Sequence, residues 1–151
     1  MTIGLFKIVI ASLLTLTLSV VSGQTLLNPT GTYVYQGKTT VKDGDTYGYF
    51  GTIQVKKITN SKIVMTFYIC KGAPGYNSGS FVDTLDYKNN QAIYAEEGCV
   101  TIFSFSKTRI AVKDTGNGSC WGLGVVADGH FMKKSSKRPI LIEPLTGKKI
   151  K

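Results

Sequence analysis

Apolar and polar residues alternate in short runs along most of the chain after residue 30. The clearest run is Lys62–Cys70, where one face would carry Ile63, Met65, Phe67 and Ile69 and the other Val64, Thr66, Tyr68 and Cys70. A period of two is typical of half-buried strands, and no segment in this region keeps a helical period over three turns. The pattern therefore predicts an all-β fold, a small antiparallel barrel or barrel-like sandwich of about eight strands.

Glycine, asparagine and aspartate mark the turns between these runs. Strands are predicted at residues 31–37, 47–58, 62–70, 80–87, 91–95, 99–106, 109–113 and 128–131. The connection Lys71–Gly79 is predicted to be a loop, and its residues Lys71, Tyr76, Asn77 and Ser78 are our candidates for a binding loop. Eight strands enclose a filled core or at most one small ligand.

The N-terminus has the three-part pattern of a secretory signal peptide. Lys7 precedes an apolar run from Ile8 to Val21, and small residues follow at Ser22 and Gly23. The run is shorter than the roughly 20 residues that a bilayer span needs. We therefore expect cleavage before Gln24 and a secreted or periplasmic protein with no transmembrane segment after cleavage.

Removing residues 1–23 leaves one domain of 128 residues and lowers the net charge from +9 to +8, because Lys7 is the only charged side chain removed. The charge is uneven. Residues 133–151 carry seven cationic side chains against Glu143 alone, a net of +6, and residues 24–132 hold the remaining +2. The predicted organisation is a signal peptide at 1–23, a β-barrel domain at 24–132 and a basic tail at 133–151.

The basic tail has two interpretations. It is either a solvated terminus that aids solubility, or a tether to an anionic surface such as envelope phosphate, acidic glycan or anionic lipid. The tether would use Lys133, Lys134, Lys137, Arg138, Lys148, Lys149 and Lys151. Nucleic acid is not expected as a partner, since the chain has no recognisable binding motif.

Three cysteines allow one disulfide and leave one thiol over. We expect the bridge Cys99–Cys120, because a predicted hairpin lies between them and would return the chain to its start. Pairings that use Cys70 remain open. As the odd thiol, Cys70 would be free or would join two molecules, so the expected monomer has a possible dimeric form. Metal binding is not expected, since the three cysteines and one histidine lack ligand spacing.

Catalytic patterns are weak. His130 is the one side chain expected to act as a general base near neutral pH, and it lies in a predicted strand. No Gly-x-Ser-x-Gly elbow is present, and Asp83 and Asp86 have opposite strand parity. Trp121 is expected to pack on the disulfide, and Asn117-Gly118-Ser119 is a formal glycosylation sequon. We therefore predict a non-enzymatic protein with no cofactor.

The segment from Cys99 to Lys133 carries a resemblance. Cys99-x-x-x-Phe103-x-Phe105 is followed by Cys120-Trp121-Gly122-x-Gly124-Val125-x-Ala127-Asp128-Gly129-x-Phe131-x-Lys133. This ending resembles that of small exported bacterial β-domain proteins, most of them uncharacterised and some similar to periplasmic lysozyme inhibitors of eight-stranded barrel form. The resemblance implies an inhibitor-like function. Animal lysozymes are themselves basic, so an inhibitor of charge +8 would meet like charge.

Two functions from different classes are therefore expected. The first is a secreted or periplasmic binding protein, inhibitor-like in its sharpest version, that recognises a protein or an anionic glycan through loops. The alternative is a small-ligand carrier with a lipocalin-like barrel cavity among Phe67, Phe103, Phe105 and tyrosines. The first predicts a filled core and the second an internal cavity.

Overall fold

The computed structural model describes residues 25–115 and 120–150, and the predicted all-β fold is confirmed there. Its nine strands are β1 Gly31–Tyr35, β2 Thr40–Lys42, β3 Asp45–Lys57, β4 Lys62–Gly72, β5 Ser78–Asp86, β6 Gln91–Glu96, β7 Cys99–Phe105, β8 Arg109–Asp114 and β9 Gly129–Ser135. The predicted signal peptide and the sequon at Asn117 lie outside the described residues.

Eight of the strands form one antiparallel sheet that is nearly closed into a barrel, in the order β5-β4-β3-β1-β9-β8-β7-β6. The short β2 pairs only with the start of β3. The first and last strands of the order, β5 and β6, are consecutive in the chain and meet at a seam. The rings of Phe81 and Tyr94 stack across this seam with centroids 4.2 Å apart.

Strand alternation positions the core as the sequence predicts. On β4, the side chains of Ile63, Met65, Phe67 and Ile69 are all fully buried inside the barrel. On β3, Ile53 and Val55 are buried beside them, in register with Phe67 and Met65. Because a one-residue slip would turn every one of these side chains outward, burial of the apolar face fixes the register of this pair.

The antiparallel connections define two ends of the barrel. The rim end holds the β1–β2–β3 connections, the β4–β5 turn, the β6–β7 turn and the β8–β9 connection. The base end holds the N-terminal segment 25–30, the turns β3–β4, β5–β6 and β7–β8, and the exit of β9.

The base end is closed by the N-terminal segment, which Asn90 holds in place. The Oδ1 atom of Asn90 accepts hydrogen bonds from Leu27 N at 2.7 Å and from the Tyr87 hydroxyl at 3.0 Å, and its Nδ2 donates to Thr25 O at 3.1 Å. The Tyr33 hydroxyl donates to Pro29 O at 2.8 Å from inside the barrel. Burial raises the pKa of Tyr87 to about 12 and raises that of Tyr33 further.

The C-terminal segment corrects two expectations. First, β9 continues to Ser135, so Lys133 and Lys134 belong to the barrel and not to a tail that begins at residue 133. Second, residues 139–150 are not a solvated terminus. They fold into a small hairpin, with an Ile142–Lys149 bridge, that lies on the outer face of β3–β5. We name this hairpin the strap.

The strap is held against the sheet by one buried apolar side chain and by one hydrogen bond. Leu141 is buried in a groove that Val64 and Val82 help to line. Ile142 N donates to the Gln54 side chain at 3.0 Å. Apolar residues on the outer face of the sheet thus gain a cover that their alternation could not reveal.

The connection predicted at Lys71–Gly79 is shorter than expected. Lys71 lies in β4 and Ser78 in β5, and only residues 73–77 form the turn between them. The reason is that Cys70 and Ser78 continue the β4–β5 pairing to the end of the sheet.

The exposed strand β2 has no buried face, so the hydrophobic pattern did not predict it.

Candidate functional site

The disulfide joins two elements at the rim end. Cys99 opens β7 and bonds to Cys120 with the Cα atoms 5.5 Å apart, which confirms the predicted pairing. Cys120 begins the segment 120–128 that leads to β9, and the bridge fixes this segment against the barrel.

The odd thiol of Cys70 is not at the surface. Cys70 is 1 % exposed, and its Sγ atom accepts a hydrogen bond from Gly72 N at 3.4 Å. A bond between two molecules would require the end of β4 to open. The structure therefore gives no support to a dimer through Cys70.

Two predicted binding-loop residues meet the segment 120–128 at a single atom. The backbone oxygen of Leu123 accepts a hydrogen bond from Asn77 Nδ2 at 2.7 Å and another from Lys71 Nζ at 3.4 Å. The sequence separates these partners by about fifty positions. The barrel brings them together because β4, β5 and the β8–β9 connection all reach the rim end.

Tyr49 holds the other side of the same segment. Its hydroxyl donates to Gly124 O at 3.0 Å and accepts from Val126 N at 3.1 Å. Between these contacts Val125 N donates to Gly122 O at 3.0 Å and closes a tight turn. Gly122 and Gly124 have φ values of 100° and 67°, a left-handed region that glycine adopts at little cost.

The turn presents one apolar side chain to solvent. Leu123 is 83 % exposed, and Val126 on the same segment is exposed as well. Tyr76 from the β4–β5 turn is a third partly apolar group at this end. We call the set Lys71, Tyr76, Asn77, Leu123 and Val126 the binding rim.

Tyr76 is held by two hydrogen bonds to the first residues of β3, at the rim end. Its hydroxyl accepts from Thr46 N at 2.9 Å and donates to Asp45 Oδ1 at 2.9 Å. The first bond favours the phenolate, but the hydrogen bond to Asp45 and its charge outweigh it and raise the pKa of Tyr76. Tyr76 is therefore an uncharged, oriented donor at neutral pH. The predicted loop residue Ser78 begins β5 behind it, with its backbone oxygen close to Gly122.

The charges of the chain separate along the barrel axis. The rim-end connections, together with the two residues on either side of each, hold four cationic side chains and six carboxylates, so their net charge is −2. The cations are Lys38, Lys42, Lys71 and Lys113, and the carboxylates are Asp43, Asp45, Glu96, Glu97, Asp114 and Asp128. The same count at the base end gives ten cations against Asp86 alone, a net of +9: Lys56, Lys57, Lys62, Lys88, Lys107, Arg109, Lys133, Lys134, Lys137 and Arg138. The high net charge of the chain therefore does not describe the binding rim.

The predicted anionic-contact residues are divided by this arrangement. Lys133 is half-buried with its Nζ 5.2 Å from the centre of the Tyr33 ring, and burial lowers its pKa. Lys134, Lys137 and Arg138 are exposed at the base end. Lys148 and Lys149 are exposed on the strap, and Lys151 lies outside the described residues.

The inside of the barrel is filled by aromatic side chains. Phe67 lies at the centre, with the rings of Phe81, Phe103, Trp121 and Phe131 all between 4.6 and 5.7 Å from its own. Trp121 thus packs into the core and is 2 % exposed. Among the side chains expected to line a carrier cavity, Phe67 contacts Phe103 and Phe105 contacts Tyr87. Five grooves of the described residues are open to solvent.

His130 projects from β9 into solvent, and its ring makes no hydrogen bond to a described residue. The nearby carboxylate Asp128 is engaged elsewhere, since it accepts hydrogen bonds from Lys113 Nζ and from Asp114 N. Partial burial opposes ionisation of Asp128, but these hydrogen bonds and the charge of Lys113 outweigh it and lower its pKa. Over residues 25–115 and 120–150, no three His, Cys, Asp or Glu side chains are grouped as a metal site.

Among the same residues, no helix has the length and apolar character to cross a membrane. The chain matches no protein-family model, no curated protein and no solved structure.

Proposed function

We propose that this chain is a secreted or periplasmic, non-enzymatic binding protein that recognises a protein partner through the binding rim. The observation that carries the proposal is Leu123, an apolar side chain 83 % exposed on a turn that is fixed from both sides. The filled barrel favours this function over the carrier alternative. An intramolecular disulfide is compatible with export to an oxidising compartment.

Preorganisation supports the use of Leu123 as an anchor. Hydrogen bonds from Asn77, Lys71 and Tyr49 and the Cys99–Cys120 bridge hold the turn before any partner arrives. Binding through a fixed segment avoids the entropic cost of ordering a loop, which otherwise offsets part of the contact energy. An exposed leucine on such a turn fits an apolar pocket of a partner.

The charge distribution extends the proposal to the kind of partner. A chain of net +8 would be repelled by a basic protein if its charge were spread evenly. The binding rim lies in a region whose net charge is −2, because most cations of the protein lie at the base end. A basic partner is therefore favoured at the rim, and an inhibitor of animal-type lysozyme is the sharpest version of the proposal.

The test measures binding of the exported protein to an animal lysozyme by calorimetry, and inhibition of cell-wall hydrolysis by the same preparation. We expect binding by the unmodified protein and a loss of about 2 kcal/mol, roughly 30-fold in affinity, for Leu123→Ala, because central apolar anchors carry much of the binding energy. Ile140→Ala is the matched control, since Ile140 is an exposed aliphatic residue on the strap, away from the rim.

Two results would count against the proposal at different levels. Failure of the unmodified protein to bind lysozyme removes the inhibitor version. The second test immobilises the unmodified protein, Leu123→Asp and the control Ile140→Asp, and compares the exported proteins that each one captures. If Leu123→Asp captures the same proteins as the other two, the rim is not the recognition surface.

A further inference from the structure

The base end carries a groove that the proposed rim function does not use. It lies between the N-terminal segment, the β3–β4 turn and the chain leaving β9. Two cations, Lys57 and Arg138, line it together with the polar side chains of Asn28, Asn60 and Ser136. Three separate elements thus converge on one shallow, open surface.

The cations of this groove are not neutralised within the described structure. The ion pairs found among residues 25–115 and 120–150 are Lys62–Asp86 and Lys113–Asp128, so neither Lys57 nor Arg138 has a carboxylate partner there. Among the described residues, Asp86 is the one carboxylate within two positions of the base-end connections, and it is paired with Lys62. Asp83 lines the adjoining groove with Lys57 and Arg138 but forms an ion pair with neither of them. The surface around the groove therefore has an excess of cations that carry no ion pair.

Aliphatic side chains stand beside these cations. Ile58 is 54 % exposed at the β3–β4 turn, where it lines the groove next to Arg138. Ile140 is 64 % exposed two residues beyond Arg138. Exposed isoleucines close to cations, Ile58 in the groove and Ile140 along the chain, match a lipid interface, in which charges meet headgroup phosphates and short apolar side chains enter the acyl boundary.

We propose that the base end docks on an anionic phospholipid surface. Lys57 and Arg138 donate hydrogen bonds to lipid phosphodiesters, and Ile58 and Ile140 enter the interface beside them. The binding rim lies at the opposite end of the barrel and faces away from the lipid. The site is independent of the proposed rim function, because it shares no residue with it.

The proposal differs from a general attraction of a basic chain. It assigns docking to one end, so cations at the other end contribute little, since exposed charges beyond a Debye length of about 10 Å are largely screened at 0.1 M salt. Lys38 and Lys42 are exposed cations at the rim end and supply a matched control with the same loss of charge.

The experiment measures partitioning onto phosphatidylcholine vesicles with and without 30 mol % phosphatidylglycerol, in about 0.1 M salt. The full coding sequence is expressed, and the exported form is used after its N-terminus has been identified by mass spectrometry. We expect binding that requires phosphatidylglycerol, and a loss of about 25-fold for the double variant Lys57→Gln/Arg138→Gln, at about fivefold per charge. The control Lys38→Gln/Lys42→Gln should change partitioning by less than twofold.

Further measurements keep the result interpretable. Ile58→Ser, which keeps the charge, should weaken partitioning severalfold, and far-UV spectra should show that every variant is folded. Equal losses in the two double variants would overturn the docking assignment, as would equal binding to vesicles without phosphatidylglycerol. Binding of soluble polyphosphate through Lys57 and Arg138 without vesicle binding would also overturn it, and would identify a free phosphate polymer as the occupant.

Discussion

Gly79 offers a sharp test of how the binding rim is supported. A Cβ atom added to Gly79 would lie 2.6 Å from Trp121 Cα and 2.7 Å from Trp121 O, both backbone atoms. Ordinary van der Waals contact begins near 3.4 Å. Neither strand β5 nor the segment that starts at Cys120 can avoid the methyl group by turning a side chain, because the obstacle is backbone.

The variant Gly79→Ala should therefore move the Trp121 backbone by several tenths of an ångström or more. Overpacking of this kind costs about 1–3 kcal/mol, and we expect a value near the upper end because the Cys99–Cys120 bridge restrains the segment. The free energy of unfolding in urea, with a constant m-value, measures this loss.

Trp121 itself provides a second, local readout. It is the only tryptophan of the chain and is 2 % exposed, so the emission spectrum reports on the surroundings of this one side chain. In Gly79→Ala the emission should move towards longer wavelength before any unfolding. Rim binding should weaken as well, because the displaced segment carries Leu123.

The matched control is Gly75→Ala in the neighbouring β4–β5 turn. Its added Cβ would meet nothing closer than 3.5 Å. We expect a change of less than about 0.5 kcal/mol, as for ordinary surface substitutions. If Gly79→Ala were as stable as Gly75→Ala, with unchanged tryptophan emission, the close packing of β5 against Trp121 would be refuted.

Three further variants test other contacts. Asn90→Ala should lower the free energy of unfolding by about 2 kcal/mol in urea titrations, from the hydrogen bonds to Leu27 N and Thr25 O at about 1 kcal/mol each, because the Tyr87 hydroxyl can still donate to Leu27 O; a loss below 1 kcal/mol would contradict the clamp on residues 25–27. Asp128→Asn should be less stable than the unmodified protein at pH 6. The difference should shrink as pH falls below about 4, because a carboxylate whose folded pKa is lowered loses its contribution there; a difference independent of pH would refute this role. Cys70 should react with a thiol reagent only after unfolding, since its sulfur is buried, and rapid labelling of the native protein would show that the end of β4 opens.

The strand pattern and the disulfide were predictable for a local reason. In Lys62–Cys70 each inward residue is two positions from the next, so the period of the sequence is the period of the strand. Cys99 and Cys120 flank a hairpin that returns the chain to its starting point, which needs no knowledge of the rest of the barrel. Both expectations depend on neighbours within about twenty residues.

The candidate site was predictable only in part. The binding-loop residues Lys71, Tyr76 and Asn77 do lie at one end of the barrel, but Leu123 was not singled out. A leucine between two glycines signals a turn, whereas its exposure depends on which backbone atoms come to hold that turn. Those atoms belong to β4, β5 and β3, which are distant in sequence.

The sequence by itself determined the all-β class, the inward faces of the long strands and the cysteine pairing, because alternation and short-range closure act locally. Only the tertiary structure decided the burial of Cys70, the folding of the strap onto β3–β5 and the filling of the barrel by Trp121. It also separated a net charge of −2 at the rim from +9 at the base. These properties depend on which distant segments share an end or a face, and antiparallel closure of the sheet sets that arrangement.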